Sequence, residues 1–426
     1  MTTTGPARVP AGGAEGTIAA EEALASRSGS FAAFGAPAYP RVFASGALWN
    51  LARWMALFAG AYLMRELTGS PLLVQLVGTA SFLPMFLGGV AAGAIADRSD
   101  RRRTVVRQLG VLIPLAALMA VVVGAGRVEP WMVYVFVAAV GVGNVVDMTN
   151  RRAFVHDLVG DRLVGNAMSL EAVSISAGNM AGALCGGAVI AAIGNGSAYG
   201  LVAVLYGACF LLMLSVPSAP RRTAATSGTS VRRDVVDGLR ALPANRALVS
   251  MLGVTFLMNL LFFSYMPLVT VLAERFDAGA FRTGLLASGT GAGMLIGSAL
   301  VVAFDPKRRG LLYVGGCFSG MACLIAFALV PDYSVALGLL VLTGLCAGGF
   351  AATQSALVLA VADESMRGRA MGLLSMAIGA LPFGMVILGL LAEATSPSTA
   401  LVVNAGAGIV ALGLWLLYRP DVLHVR

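Results

Sequence analysis

Gly93-Ala-Ile-Ala-Asp97-Arg98-Ser-Asp100-Arg101-Arg102-Arg103, GAIADRSDRRR over residues 93–103, separates two long apolar segments. The chain is hydrophobic up to Ala96 and again from Thr104. About 20 apolar residues in helical form span a bilayer core of about 30 Å. The two flanking segments have that length, so the turn between them lies at a water-exposed face of a membrane. Its arginines assign it to the cytoplasmic face, because cytoplasmic loops carry the Lys/Arg excess.

Working outward, the same pattern recurs. Of 426 residues, 58% are hydrophobic and 12% charged, with mean hydropathy +0.85. The 53 glycines suit close helix approach inside a membrane. Twelve crossings are expected, at 42–64, 72–96, 104–126, 130–150, 166–191, 197–217, 247–273, 283–304, 311–330, 334–361, 369–393 and 398–418. With both termini cytoplasmic, 24 of the 29 Lys/Arg fall on the inner side. Arg65, Arg127, Arg275 and Arg282 fall on the other, and Arg53 lies inside the first span. The net charge of +8 is therefore topological, and nucleic acid is excluded as a partner. The expected class is an all-α integral membrane protein of the plasma membrane.

Residues 1–40 lack a basic start followed by an apolar run and read as a disordered cytoplasmic tail. Two hydrophobic halves follow, 41–218 and 247–418, with a cytoplasmic tail at 419–426. The segment 219–246 between them is polar. There Val231, Val235, Leu239 and Leu242 recur at helical spacing, which gives either an amphipathic helix on the membrane surface or a solvated linker. The halves resemble each other: Arg152-Ala153, Ala167-Met168 and Leu170 recur at one constant offset as Ser355-Ala356, Ala370-Met371 and Leu373. Asp305-Pro306-Lys307-Arg308-Arg309 stands close to where a second copy of the arginine loop would fall. Both halves begin inside, so the repeats are parallel. The five cysteines all lie in apolar spans without metal-site spacing, and His156 and His424 are the only histidines. No metal and no cofactor is expected.

The pattern Gly93-x-x-x-Asp97-Arg98-x-x-Arg101-Arg102 resembles the G-x-x-x-D-R-x-G-R-R loop of the major facilitator superfamily of transporters, with Asp100 in place of the loop glycine. This form, together with LTGSP at 67–71, RRAFVHDLV and NAMSL within 151–170, and RGRAMGL at 367–373, resembles the branch of enterobactin and macrolide exporters. The resemblance implies twelve helices in two pseudo-symmetric six-helix bundles. It also implies that this loop is a gating latch between the halves, with Asp97 near Arg369. The structural alternative is a turn that sets topology alone. Gly178-x-x-x-Gly182-Ala183-x-x-Gly186-Gly187 resembles the antiporter motif of exporting members, with Ala183 where proline is usual. Plain small-residue packing accounts for it equally well.

Charges within the bilayer are costly and point to function. Arg53 lies about twelve residues, roughly 18 Å at 1.5 Å per residue, into the first span. Trp49, Asn50 and Trp54 flank it. It can bind an anionic group of a substrate or pair with Glu171. Glu171 is the first candidate for proton coupling, because an apolar cavity raises a carboxylate pKa toward neutrality. Asp147, at the inner end of the fourth span, either pairs with Arg98, Arg101 or Arg107 or is a second proton carrier. Asn179, Asn259 and Tyr265 line a substrate cavity or form interhelical hydrogen bonds.

No G-x-x-x-x-G-K-[ST] stretch is present, so ATP is not the direct energy source. The expected function is secondary active transport by alternating access, with proton-coupled efflux of an amphipathic small molecule (drug, macrolide or siderophore) by an antiporter. The expected partners are that substrate, protons and the lipid bilayer, with the chain acting as a monomer. The alternative on the same architecture is an importer or uniporter of a small metabolite. A membrane enzyme would show clustered His, Asp or Ser at a membrane face, and the sequence has no such cluster.

Overall fold

The computed structural model describes residues 31–96, 100–217, 245–304, 308–362 and 367–424. The 219–246 surface helix, Asp97, Arg98 and the Asp305–Lys307 turn lie outside the described residues, apart from Asn245 and Arg246. So do residues 1–30. All described regular structure is helical.

The first half comprises α1 (Tyr39–Thr68), α2 (Pro71–Ala96), α3 (Arg101–Gly124), the run Pro130–Ile193 and α6 (Asn195–Leu214). That run breaks at Gly160, whose φ of 72° and ψ of 175° lie in a region that glycine alone adopts freely. It is therefore two helices, α4 (130–159) and α5 (161–193). Arg152 and Glu171 are 19 residues apart, about 28 Å along a straight helix. Their side chains nevertheless meet at 2.9 Å, so the run folds back on itself. The expected loop at 151–165 is thus mostly helix: Val155, Val159 and Leu163 are buried and extend the helical stripe beyond the apolar span.

The second half comprises α7 (Arg246–Phe276), α8 (Ala280–Phe304), α9 (Arg309–Leu329), α10 (Tyr333–Val361), α11 (Arg367–Ile378 and Leu381–Ala394) and α12 (Pro397–Tyr418). A π turn at Met258–Phe262 and a 3-10 turn at Phe263–Tyr265 interrupt α7 just before Pro267. α11 is interrupted just before Pro382, since proline removes a backbone donor and clashes with the preceding turn.

Side-chain caps account for four of the helix starts. Asp100 accepts a hydrogen bond from the Arg103 backbone N–H at 3.1 Å. The residue that replaces the usual loop glycine is therefore the N-cap of α3. Asn245, Asp332 and Ser396 cap α7, α10 and α12 in the same way. The folded chain also begins ahead of the expected boundary at residue 40. Ala32–Gly35 forms a 3-10 turn, Phe34 packs edge-on to Tyr39 and Phe43, and Asn166 accepts from the Ala33 N–H at 3.1 Å.

Among the described residues, nine helices are long and apolar enough to cross a membrane. The folded run 130–193 counts among them once but spans twice, and α1 and α2 complete twelve. Their outward faces are apolar: Val111, Leu118 and Val121 on α3 and Val410, Leu414 and Leu417 on α12 are exposed. In lipid such faces carry no penalty.

The two six-helix halves meet along α2–α11, α5–α8 and the α1–α7 contact. We call the end with the α2–α3 and α4–α5 connections the basic end, and the opposite end, with the short turns at Gly69 and Gly194, the hairpin end. At the hairpin end the halves touch. Arg65 pairs with Glu274 at 3.3 Å and donates to the Thr270 carbonyl at 3.0 Å. Ser70 donates to Glu393 at 2.8 Å, and Gln75 donates to the Ser264 carbonyl at 3.1 Å. Backbones approach directly at Gly187 and Gly284: a Cβ on Gly187 would stand 2.6 Å from the Ala280 carbonyl oxygen.

Candidate functional site

The first half encloses a cavity of about 200 Å³, lined by α1, α2, α4 and α5. It extends from Trp54 toward the basic end, where Tyr39, Val155 and Ala167 line it. Trp49, Asn50, Arg53, Trp54, Asp147 and Glu171 all face this one space. The structure therefore brings together six of the residues singled out in the sequence.

Helix packing sets their positions. Gly178 and Gly182 lie against α1, where a Cβ would come within 2.7 Å of Asn50 Cβ and Met55 N respectively. Gly186 lies near Phe58, and Gly187 faces α8. The glycine pattern of the fifth span thus has a packing contact at every position. This close approach lets Asn50 donate to Ser174 at 3.2 Å. Trp49 is fixed by stacking on Tyr206, ring centroids 5.3 Å apart.

The charges are distributed unevenly. Asp147 is held by Arg151, which reaches it through Nη2 at 2.7 Å and Nε at 3.0 and 3.1 Å, both groups buried. Arg151 also donates to the Val42 carbonyl at 3.2 Å. The described partner of Asp147 is instead Arg151, four residues along its own helix; Arg101 pairs with Asp157, and Arg98 lies outside the described residues. Glu171 pairs with Arg152 at 2.9 Å, so the Arg53–Glu171 pair entertained from the sequence is not what forms. Arg53 is 8% exposed and sits over the Trp54 ring, 4.5 Å from its centroid. Its Nε and the Trp54 Nε1 are buried donors without a hydrogen-bond partner.

The remaining candidates lie elsewhere. Asn179 and Tyr265 line a smaller cavity of about 50 Å³ at the junction of the halves, which Trp54 also lines. The Tyr265 hydroxyl is 2.9 Å from Thr290 Oγ1. Asn259 donates back to the Thr255 carbonyl at 2.9 Å, beside the buried contacts of Thr255 with Tyr313 at 2.8 Å and Gln354 at 3.2 Å. It is joined to neither cavity.

Arg101 and Arg102 make their described contacts inside the first half. Arg101 donates to the Ala153 carbonyl at 3.0 Å and pairs with Asp157. Arg102 donates to the Met213 and Leu214 carbonyls at 3.0 and 2.8 Å, capping the C-terminal end of α6. Gly93 lies in the last turn of α2, which ends at Ala96; Asp97 and Arg98 lie outside the described residues. The residues that the sequence reading missed are Arg151, Arg152, Asn144 and Ser174. For Arg151 a signal existed in the Asp147-x-x-x-Arg151 spacing. Among the described residues no group of three or more His, Cys, Asp or Glu is placed to hold a metal.

Twelve apolar helices in two halves that meet at the hairpin end, the first half holding a charged cavity, define a membrane carrier. The Major Facilitator Superfamily model matches residues 42–379 and 307–426, and the chain belongs to that family. It is 26% identical over 359 residues to the multidrug efflux pump Tap of Mycolicibacterium fortuitum, covering 80% of this chain and 85% of that protein. Macrolide efflux protein A of Streptococcus pyogenes is 21% identical over 344 residues, covering 78% and 84%. Among solved structures, a D-xylose-proton symporter superposes with a TM-score of 0.69 at 14% identity, covering 90% of this chain and 98% of that one. A bacterial homologue of the lysosomal transporter Spinster, in an inward-facing and unoccupied conformation, gives 0.66 at 14% identity, covering 91% and 96%. These structural likenesses concern the fold.

Proposed function

We propose that the chain is a secondary active exporter of an amphipathic small molecule, working as a monomer in the plasma membrane and driven by protons. The observation that carries the reading is the asymmetry of the bundle. The halves are joined at the hairpin end, while an aromatic and charged cavity reaches toward the basic end. With the basic end cytoplasmic, this is an inward-facing state that loads cargo from inside. The efflux proteins among its relatives support the outward direction, and a drug or macrolide is the cargo they suggest. Rocking of the halves against one another delivers the cargo to the other side.

Glu171 is the proposed proton carrier. It is the cavity carboxylate with the greater access, its side chain 20% exposed. Protonation releases Arg152 and loosens the α4–α5 hairpin. Asp147, held by the buried Arg151, is the second choice. The domain reading, with halves 41–218 and 247–418 linked through 219–246, follows from this scheme. Import or uniport of a metabolite is the second reading, because a sugar–proton symporter shares the fold.

Purified protein in liposomes tests the proposal. An amphipathic dye should cross only when a pH gradient is imposed, and Glu171→Gln should abolish the response to the gradient. Transport indifferent to both would reject proton-driven export.

A further inference from the structure

The cavity lining carries two arginines, Arg53 and Arg151, and two carboxylates, Asp147 and Glu171, but the carboxylates are not shared evenly. Both oxygens of Asp147 are engaged by Arg151, and Glu171 is engaged by Arg152. That leaves Arg53, nine-tenths buried, over the Trp54 ring, within electrostatic reach of Asp147 and Tyr206 but in no described ion pair. A buried cation without a direct ion pair is costly, and ring contact offsets part of that cost. The orphaned groups here are donors: Arg53 Nε and the neighbouring Trp54 Nε1 have no acceptor. The surrounding walls are apolar and aromatic, with Phe43, Trp49, Phe82 and Met85 among them. Donors without acceptors beside a positive charge that no carboxylate touches are complementary to an anion, and the walls to an apolar body.

We propose that this cavity selects an organic acid: one anionic group, a carboxylate or its equivalent, seated on Arg53 and Trp54 Nε1, with an apolar body against Trp49 and Phe82. The inference rests on reading the cavity as the cargo site. It narrows the amphipathic cargo to an acidic one and disfavours lipophilic cations, amine-bearing macrolides among them, which would meet Arg53 with like charge. Arg53 is then the residue that determines specificity. Its guanidinium offers a fixed planar fork of donors that matches a carboxylate.

Three probes of one size test this by calorimetry on the detergent-solubilised full chain: 2-naphthoate, 2-naphthamide and 2-naphthylmethylammonium. Naphthoate should bind about tenfold or more tightly than the amide, the range expected of a charge-assisted hydrogen bond, with the ammonium weakest. Arg53→Gln should erase the preference for the acid while leaving amide affinity in place, and Arg53→Lys should retain part of it. The wild-type comparison stands even if a variant fails to fold. Equal or tighter binding of the amide or the ammonium, or an unchanged preference in Arg53→Gln, would overturn the proposal. Short-chain phosphatidylglycerol, the other source of an anion on an apolar body, should bind more weakly than naphthoate; tighter binding would overturn assignment to a free acid. The two readings fail separately. Naphthoate that binds but never crosses a liposome membrane counts against transport and leaves the acid site standing. Gradient-driven movement of the ammonium without naphthoate binding does the reverse.

Discussion

Adding one methyl group at Gly187 should open the molecule at the hairpin end. A Cβ there would stand 2.6 Å from the Ala280 carbonyl oxygen and 2.9 Å from Gly284 Cα. Unstrained contacts between such atoms lie near 3.5 Å, so α5 and α8 must separate by about 1 Å. Overpacking of this kind costs about 1–3 kcal/mol. The cost falls only on the state in which the two backbones touch; a state opened at this end has no such contact. The ratio of closed to open should therefore fall by about 5- to 150-fold. Gly284→Ala reports on the same seam from the other side, its Cβ falling 2.9 Å from Gly187 Cα. Spin labels on Arg127→Cys and Pro331→Cys, both at exposed hairpin-end turns, in a chain whose five native cysteines are replaced, would read the distance between halves by pulsed electron resonance. A distance distribution in Gly187→Ala that matches the parent would refute the reasoning, and so would opposite shifts in the two variants.

Removing one member of the buried Asp147–Arg151 pair should be severe: Arg151→Met strands Asp147 and should cost about 3–5 kcal/mol, seen as a lower melting temperature in detergent. Asp147→Asn combined with Arg151→Met should recover much of that loss. Gly160→Ala, which forces a side chain onto a φ of 72°, should cost about 1–3 kcal/mol and be measurable in the same melting assay. Arg65→Ala should favour hairpin-end opening more than Glu274→Gln. Arg65 also donates to Thr270 across the seam, whereas Glu274 is 55% exposed and exposed ion pairs contribute little; accessibility of a cysteine placed at Ala61 would rank the two.

Much of the architecture is legible because membrane solvent imposes a coarse code. Span lengths, charged turns and the excess of arginine at one end are local or compositional, and they place the twelve helices to within a few residues. The helical extension through Arg151–Val159 is less so, because its charged residues look like a loop. Its apolar positions at Val155, Val159 and Leu163 carry the helical period at low density. In the cavity, the gathering of Trp49, Arg53, Asp147 and Glu171 follows in part from their lying on helices of one half, between its middle and its basic end. Partner choice does not follow from depth. Arg152 reaches Glu171 only because Gly160 folds the run back. Arg53 is left alone because of how α1 is rotated against α5, which depends on the contacts of Gly178 and Gly182. Such rotations belong to pairs of helices, and no single stretch of sequence encodes them.

Trp54 borders both the larger cavity and the smaller space where the halves meet. One indole ring thus forms the partition between the place where cargo would rest and the seam that has to part. The chain has only four tryptophans, and a second, Trp49, faces the same cavity. Indole emission responds to local polarity and to nearby quenchers. The protein therefore carries its own optical reporters, in which filling the cavity and parting the seam would be recorded as changes in the colour and intensity of indole light.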